Sequence, residues 1–134
     1  MSGRRAFRGL FLVLGGVATG AGLHTAIAGA RSVAGQGEAN AAIESELRFY
    51  SAFYVAYGLA ALRVAPRADR DAAAVRALAG ALFLAGLARA GGWAAAGRPH
   101  ELQQALLAIE LAGPPAVVAW QSRLGRPARF RSGG

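Results

Sequence analysis

Long apolar stretches alternate along the chain with short polar or glycine-rich breaks. Residues 9–30 carry no charge over about 22 positions, enough to cross a hydrocarbon core of about 30 Å at a helical rise of about 1.5 Å per residue. Three further apolar segments follow at roughly 46–65, 72–96 and 101–123. Each is long enough to span, and the ionisable residues collect mostly at segment ends rather than along one stripe, as a soluble amphipathic helix would need. The pattern predicts an all-α protein, a four-helix transmembrane bundle. Its helices are expected at about 6–30, 46–65, 72–96 and 101–123, forming one domain over 1–124, with a basic cytoplasmic tail at 125–134.

The breaks have turn chemistry. The glycine-rich segment 31–37 reads as an outer loop. Helix two is expected to begin before the membrane, near Glu38, and to end at Ala65 ahead of Pro66. Asp69 is placed to cap helix three, and Arg98-Pro99 to open helix four with proline in its first turn. In helix one, Gly16, Gly20 and His24 share a ridge at four-residue spacing, which predicts close backbone packing with His24 on the same face. Glu46, Tyr50, Tyr54 and Tyr57 form one semi-polar stripe on helix two.

Charge sharpens this picture. The chain carries a formal net charge of +8. Arg4, Arg5, Arg8, Arg63, Arg67, Arg70, Arg76, Arg123, Arg126, Arg129 and Arg131 thread to one side of a four-span bundle. Arg31, Arg48, Arg89 and Arg98 thread to or toward the other. That asymmetry predicts cytoplasmic termini in an inner (cytoplasmic) membrane. The basic excess is thus a topology signal, with anionic lipid as a secondary contact, and nucleic acid is not an expected partner. The N-terminus resembles a signal peptide, with Ala28-Gly29-Ala30 as a small-residue cleavage motif. Its apolar run exceeds a usual signal core, so a retained first helix is expected.

Candidate chemistry is confined to a few intramembrane residues. Glu110 is the one charged residue between positions 102 and 122, and a carboxylate at that depth costs several kcal/mol unless paired, protonated or wetted. Arg89 lies about 10 Å in from the outer end of helix three and Glu110 about 13 Å in from the start of helix four. The helices are joined by a tight turn, so an Arg89–Glu110 ion pair is expected, the guanidinium fork taking the carboxylate through two hydrogen bonds. His24 and the Glu46–Tyr50 end of the helix-two stripe thread to the same layer. Arg89, Glu110, Glu46, His24 and Tyr50 are therefore the candidate ligand-binding residues, and Glu44–Arg48 reads as a surface pair.

The pair has two readings: it neutralises itself and fixes helix register, or it lines a pocket open toward the outer leaflet for a polar ligand, lipid headgroup or proton. With no cysteine, disulfides and thiolate sites are excluded. No spacing supports a metal site, no phosphate-loop, haem or flavin motif implies a cofactor, and no catalytic residue stands out. The expected partners are the lipid bilayer, a lipid or small polar ligand, and a larger membrane complex or second copy.

Three short motifs carry a resemblance: Glu46-Leu47-Arg48-Phe49-Tyr50 opening helix two, Leu87-Ala88-Arg89 late in helix three, and Ile109-Glu110-Leu111 in helix four. Together they resemble the bacterial membrane family catalogued as domain of unknown function 4345, over nearly the whole chain except its basic ends. Where family members often place a glycine after the helix-two motif, this chain has Ser51 and Ala52. The resemblance implies a four-helix integral membrane protein with polar residues in the membrane and no assigned activity. The expected role is a non-enzymatic subunit or binding module with an outward-facing polar pocket. The alternative is a membrane-embedded enzyme or proton-coupled carrier using Glu110.

Overall fold

A computed structural model describes residues 2–125, and all regular structure among them is helical. The helices are α1 (Ser2–Ala28), α2 (Ala41–Val64), α3 (Ala72–Ala96) and α4 (Glu101–Leu124), with 3-10 turns at Gly29–Ser32 and Ala65–Arg67. Of the tail expected at 125–134, residues 126–134 lie outside the described residues. Three of the helices, α1 with its 3-10 extension, α3 and α4, are long and apolar enough to cross a membrane. The fourth, α2, is long enough but less apolar: its uncharged stretch, 49–62, is bounded by Arg48 and Arg63 and contains three tyrosines.

Local chemistry sets the helix ends. The Asn40 side chain accepts the Ile43 N–H at 3.0 Å and starts α2. Asp71, not Asp69, caps α3, its Oδ1 accepting the Ala74 N–H at 3.0 Å. Gly97, at φ 91°, ends α3 in a backbone conformation that favours glycine. Pro99 lies ahead of the cap of α4 rather than in its first turn, and His100 is the cap, its Nδ1 accepting the Leu102 N–H at 3.2 Å. The α4 helix continues through Pro114 and Pro115, neither of which can donate a backbone hydrogen bond.

Two helical hairpins make up the bundle. In the first, α1 and α2 approach through Gly15, Gly22 and Gly58. A Cβ at Gly15 would meet the Gly58 carbonyl oxygen at 2.8 Å, and one at Gly22 would meet the Ser51 carbonyl oxygen at 2.9 Å. The ridge expected through Gly16 and Gly20 is not used: both are exposed and have no atom in reach of an added Cβ. The seam is displaced by one position, and one residue rotates a helix face by about 100°. In the second hairpin, Gly86 brings α3 against α4.

The hairpins meet at the end that holds the α1 N-terminus and the α2–α3 turn. There Phe7, Phe11, Ala61, Val64, Ala65, Ala68 and Val75 form the core, flanked by Trp120 and Val117. Trp120 stands edge-on to Phe7, with ring centroids 5.1 Å apart, a favourable aromatic geometry. The Asp69 side chain is fully buried beside this core. Its Oδ1 takes the Arg8 Nε–H at 2.7 Å, while Arg4 and Arg70 approach its Oδ2 at 3.5 and 3.7 Å. Asp69 thus ties the first turns of α1 to the α2–α3 connection.

Large apolar side chains also cover the outside of the bundle, and a few polar ones lie inside it. Leu12, Val17, Ile27, Phe49, Phe53, Leu84 and Ile109 are all at least half exposed, while Glu110, Asp69, Gln121 and Ser51 are buried. An apolar exterior with charged groups held inside suits lipid as the surrounding solvent.

Candidate functional site

Helix α3 carries Arg89 and helix α4 carries Glu110, and the two side chains meet as their depths predict. Arg89 Nε donates to Glu110 Oε2 at 2.8 Å and Arg89 Nη2 to Glu110 Oε1 at 2.9 Å. This is the two-bond fork that only arginine makes with a carboxylate. The approach is possible because Gly86, one turn before Arg89, has no side chain: a Cβ there would lie 2.9 Å from the Glu110 Cβ.

The pair is asymmetric in exposure. The Glu110 side chain is 3 % exposed and that of Arg89 31 %. Arg89 lines an open groove of about 300 Å³ between α1, α2 and α3, whose other walls include Gly22, Thr25, Leu47, Tyr50, Ser51 and Tyr54. Arginine has five N–H donors; two go to Glu110, and the others have no partner among the described residues. Chemically, the groove offers the remaining N–H groups of an anchored guanidinium at the edge of a largely apolar trough.

The connections around the groove are held by side chains. Arg48 Nη1 donates to the carbonyls of Ala26 at 2.7 Å and Ile27 at 3.0 Å, filling acceptors that the end of α1 leaves open. Its Nη2 lies 3.5 Å from Glu44 Oε2, the expected surface pair. Glu44 Oε1 in turn accepts the Ala30 N–H at 3.2 Å. Gln103 donates to the Ala34 carbonyl at 3.2 Å, binding the α1–α2 loop to the start of α4.

A second space lies further along the same seam. Leu10, Phe11 and Leu14 of α1, Tyr57 of α2, Leu78 and Leu82 of α3, and Ile109, Pro114 and Val117 of α4 line a partly open apolar cavity of about 110 Å³. The Tyr57 hydroxyl donates to the Leu78 carbonyl at 3.2 Å, so the polar group on this wall is engaged.

Of the residues expected at the site, Arg89 and Glu110 come together, and Tyr50 forms part of the groove wall. Glu46 and His24 do not join them. Both are exposed and lie off the groove, which is lined instead by their neighbours Leu47 and Thr25. The cause is the rotation already seen at Gly15: once α1 and α2 pack through Gly15, Gly22 and Gly58, positions 24 and 46 turn outward. Residue-level reading missed Tyr54, Ser51 and Thr25 as groove residues and Arg48 as the cap of α1. The Tyr50–Tyr54 spacing was the one available signal for the groove. Among the described residues, no three histidines or carboxylates gather as a metal site would require.

Over residues 6–121 the chain matches, and belongs to, the family described as domain of unknown function (DUF4345). No curated protein and no solved structure matches the chain.

Proposed function

We propose that this chain is a small multi-pass protein of the bacterial cytoplasmic membrane, both termini cytoplasmic, that acts as a non-enzymatic binding module through the Arg89 groove. The observation that carries the reading is Arg89 itself. It is locked to a buried carboxylate by two bonds, yet it is partly exposed along a groove with donors to spare. The N–H groups that Glu110 does not take are left at the groove, where an acceptor on a ligand can meet them. Two tyrosines beside the guanidinium add hydroxyls that can orient a polar head.

Membrane placement is supported by the three apolar helices, the apolar exterior and the gathering of Arg4, Arg8, Arg67 and Arg70 at one end. Crossing by α2 as a fourth span follows from its antiparallel packing against α1. The alternative role of Glu110 as a proton carrier is less well supported. Both of its oxygens accept from a guanidinium, which does not give up its proton.

Native mass spectrometry of the protein purified in mild detergent tests the reading. The wild type should retain a small-molecule adduct that Arg89→Met loses while its melting transition remains cooperative. Equal retention by both proteins contradicts it.

A further inference from the structure

Resting on that reading, we infer that the ligand is a long-chain lipid with an uncharged, oxygen-bearing head, such as an ester or other carbonyl. Its head sits at Arg89 and its chain follows the seam between the two hairpins into the apolar cavity. The three helices that line the groove, α1, α2 and α3, also line the cavity, which α4 completes. On α3 Arg89 lies seven residues beyond Leu82, and on α1 Ala21 lies seven beyond Leu14, a separation of about 10 Å along each helix. On α2, Tyr54 of the groove and Tyr57 of the cavity wall are one turn apart. A polar anchor with an apolar space below it on one seam is the complement of an amphipathic molecule.

The head should be uncharged because the groove offers no spare positive charge. Among the described residues Arg89 is the one charged residue lining it, and that charge is already matched by Glu110. An anionic head would sit beside the Glu110 carboxylate with no second cation, whereas a carbonyl oxygen can accept the remaining guanidinium N–H groups without that repulsion. The tail should be apolar because, among the described residues, no ionisable side chain other than the engaged Tyr57 lines the cavity. Its volume of about 110 Å³ is less than that of an apolar cavity, about 150 Å³, that takes one benzene. It can therefore receive the end of a chain rather than the whole of it.

Binding of three probes, measured by native mass spectrometry in a non-ionic detergent, tests the assignment: monoolein, its short-chain counterpart monobutyrin, and oleate. Monoolein should bind one per chain, more tightly than either of the others. Leu82→Trp, which fills the cavity, should weaken monoolein by roughly tenfold or more while leaving monobutyrin unchanged. Leu14→Trp narrows the cavity from the opposite wall and should do the same if Leu82→Trp does not fold. Arg89→Met should weaken both glycerides. Absence of monoolein binding, or filling variants that leave it unaltered while Arg89→Met abolishes it, overturns the chain placement, and the latter leaves the Arg89 site standing. Tighter binding of oleate than of monoolein overturns the uncharged head. Unchanged glyceride binding by Arg89→Met overturns the Arg89 site itself.

Discussion

Gly86 lies directly against Glu110: an added Cβ would meet the Glu110 Cβ at 2.9 Å and the Glu110 carbonyl carbon at 3.2 Å. Since one of these atoms is backbone, the neighbour cannot give by changing a rotamer. Gly86→Ala should therefore push α3 from α4, stretch the Arg89–Glu110 bonds and cost about 1–3 kcal/mol, the usual range for overpacking. Gly80→Ala, on the same helix with no atom within 4 Å of the added methyl, should be neutral or gain about 0.5–1 kcal/mol from backbone entropy. Melting temperatures of the two variants in one detergent check this, and equal effects would show that the α3–α4 contact at Gly86 is not tight.

The α1–α2 seam makes a similar prediction by position. Gly15→Leu, Gly22→Leu and Gly58→Leu should each prevent a cooperative fold, because the new side chain meets backbone atoms of the facing helix. Leucine at the exposed Gly16 or Gly20 should be tolerated. Fluorescence-detected size-exclusion profiles of the five variants give the answer, and tolerance at Gly15 with loss at Gly16 would reverse the assigned face.

Those two glycine sets show what could be read from sequence and what could not. That helix one packs through small residues was legible in its glycine content. Which glycines were used was not, because 15, 18 and 22 serve a helix face as well as 16, 20 and 24 do. The choice between registers is made by α2, through Gly58 and Ser51 on the other side of the seam. Arg89 and Glu110 were legible because charge at depth has few solutions and a short turn fixes both depths. Asp69 was misread as a cap because a local rule fitted it. Its real partner, Arg8, is 61 residues away, and Asp71 satisfied the cap instead.

Asp69 also gives the fold a pH dependence. The hydrogen bond from Arg8, above all, holds the Asp69 carboxyl below its ordinary range, with the charges of Arg8 and Arg70 adding to the effect. A carboxyl lowered by folding contributes stability that is present above its unfolded value, about pH 4. That stability is lost as pH falls through the lower, folded value. Acid titration of the melting temperature should therefore show a loss below about pH 4 that Asp69→Asn reduces, the variant being less stable at neutral pH. An unchanged acid limb in Asp69→Asn would place the acid sensitivity elsewhere.

Topology can be checked in cells. Reporter fusions after residue 134 and within the loop near Gly35 should report opposite sides, the first cytoplasmic, because α1 and the later helices are each expected to cross once. The same signal from both sites would mean that α2 does not cross as proposed.

If Arg89 and Glu110 act as one unit inside the bundle, a double-mutant cycle on stability will show it. Glu110 is almost fully enclosed, so Arg89→Met leaves a carboxylate without its partner, and Glu110→Leu leaves the guanidinium without its anchor. Breaking a buried pair from one side typically costs about 3–5 kcal/mol, whereas removing both charges can be close to neutral. The predicted result is that the double variant is more stable than the sum of the single losses implies, with a coupling energy of about 1 kcal/mol or more. Additive single losses would contradict the pairing, and with it the account of how Arg89 is held at the groove.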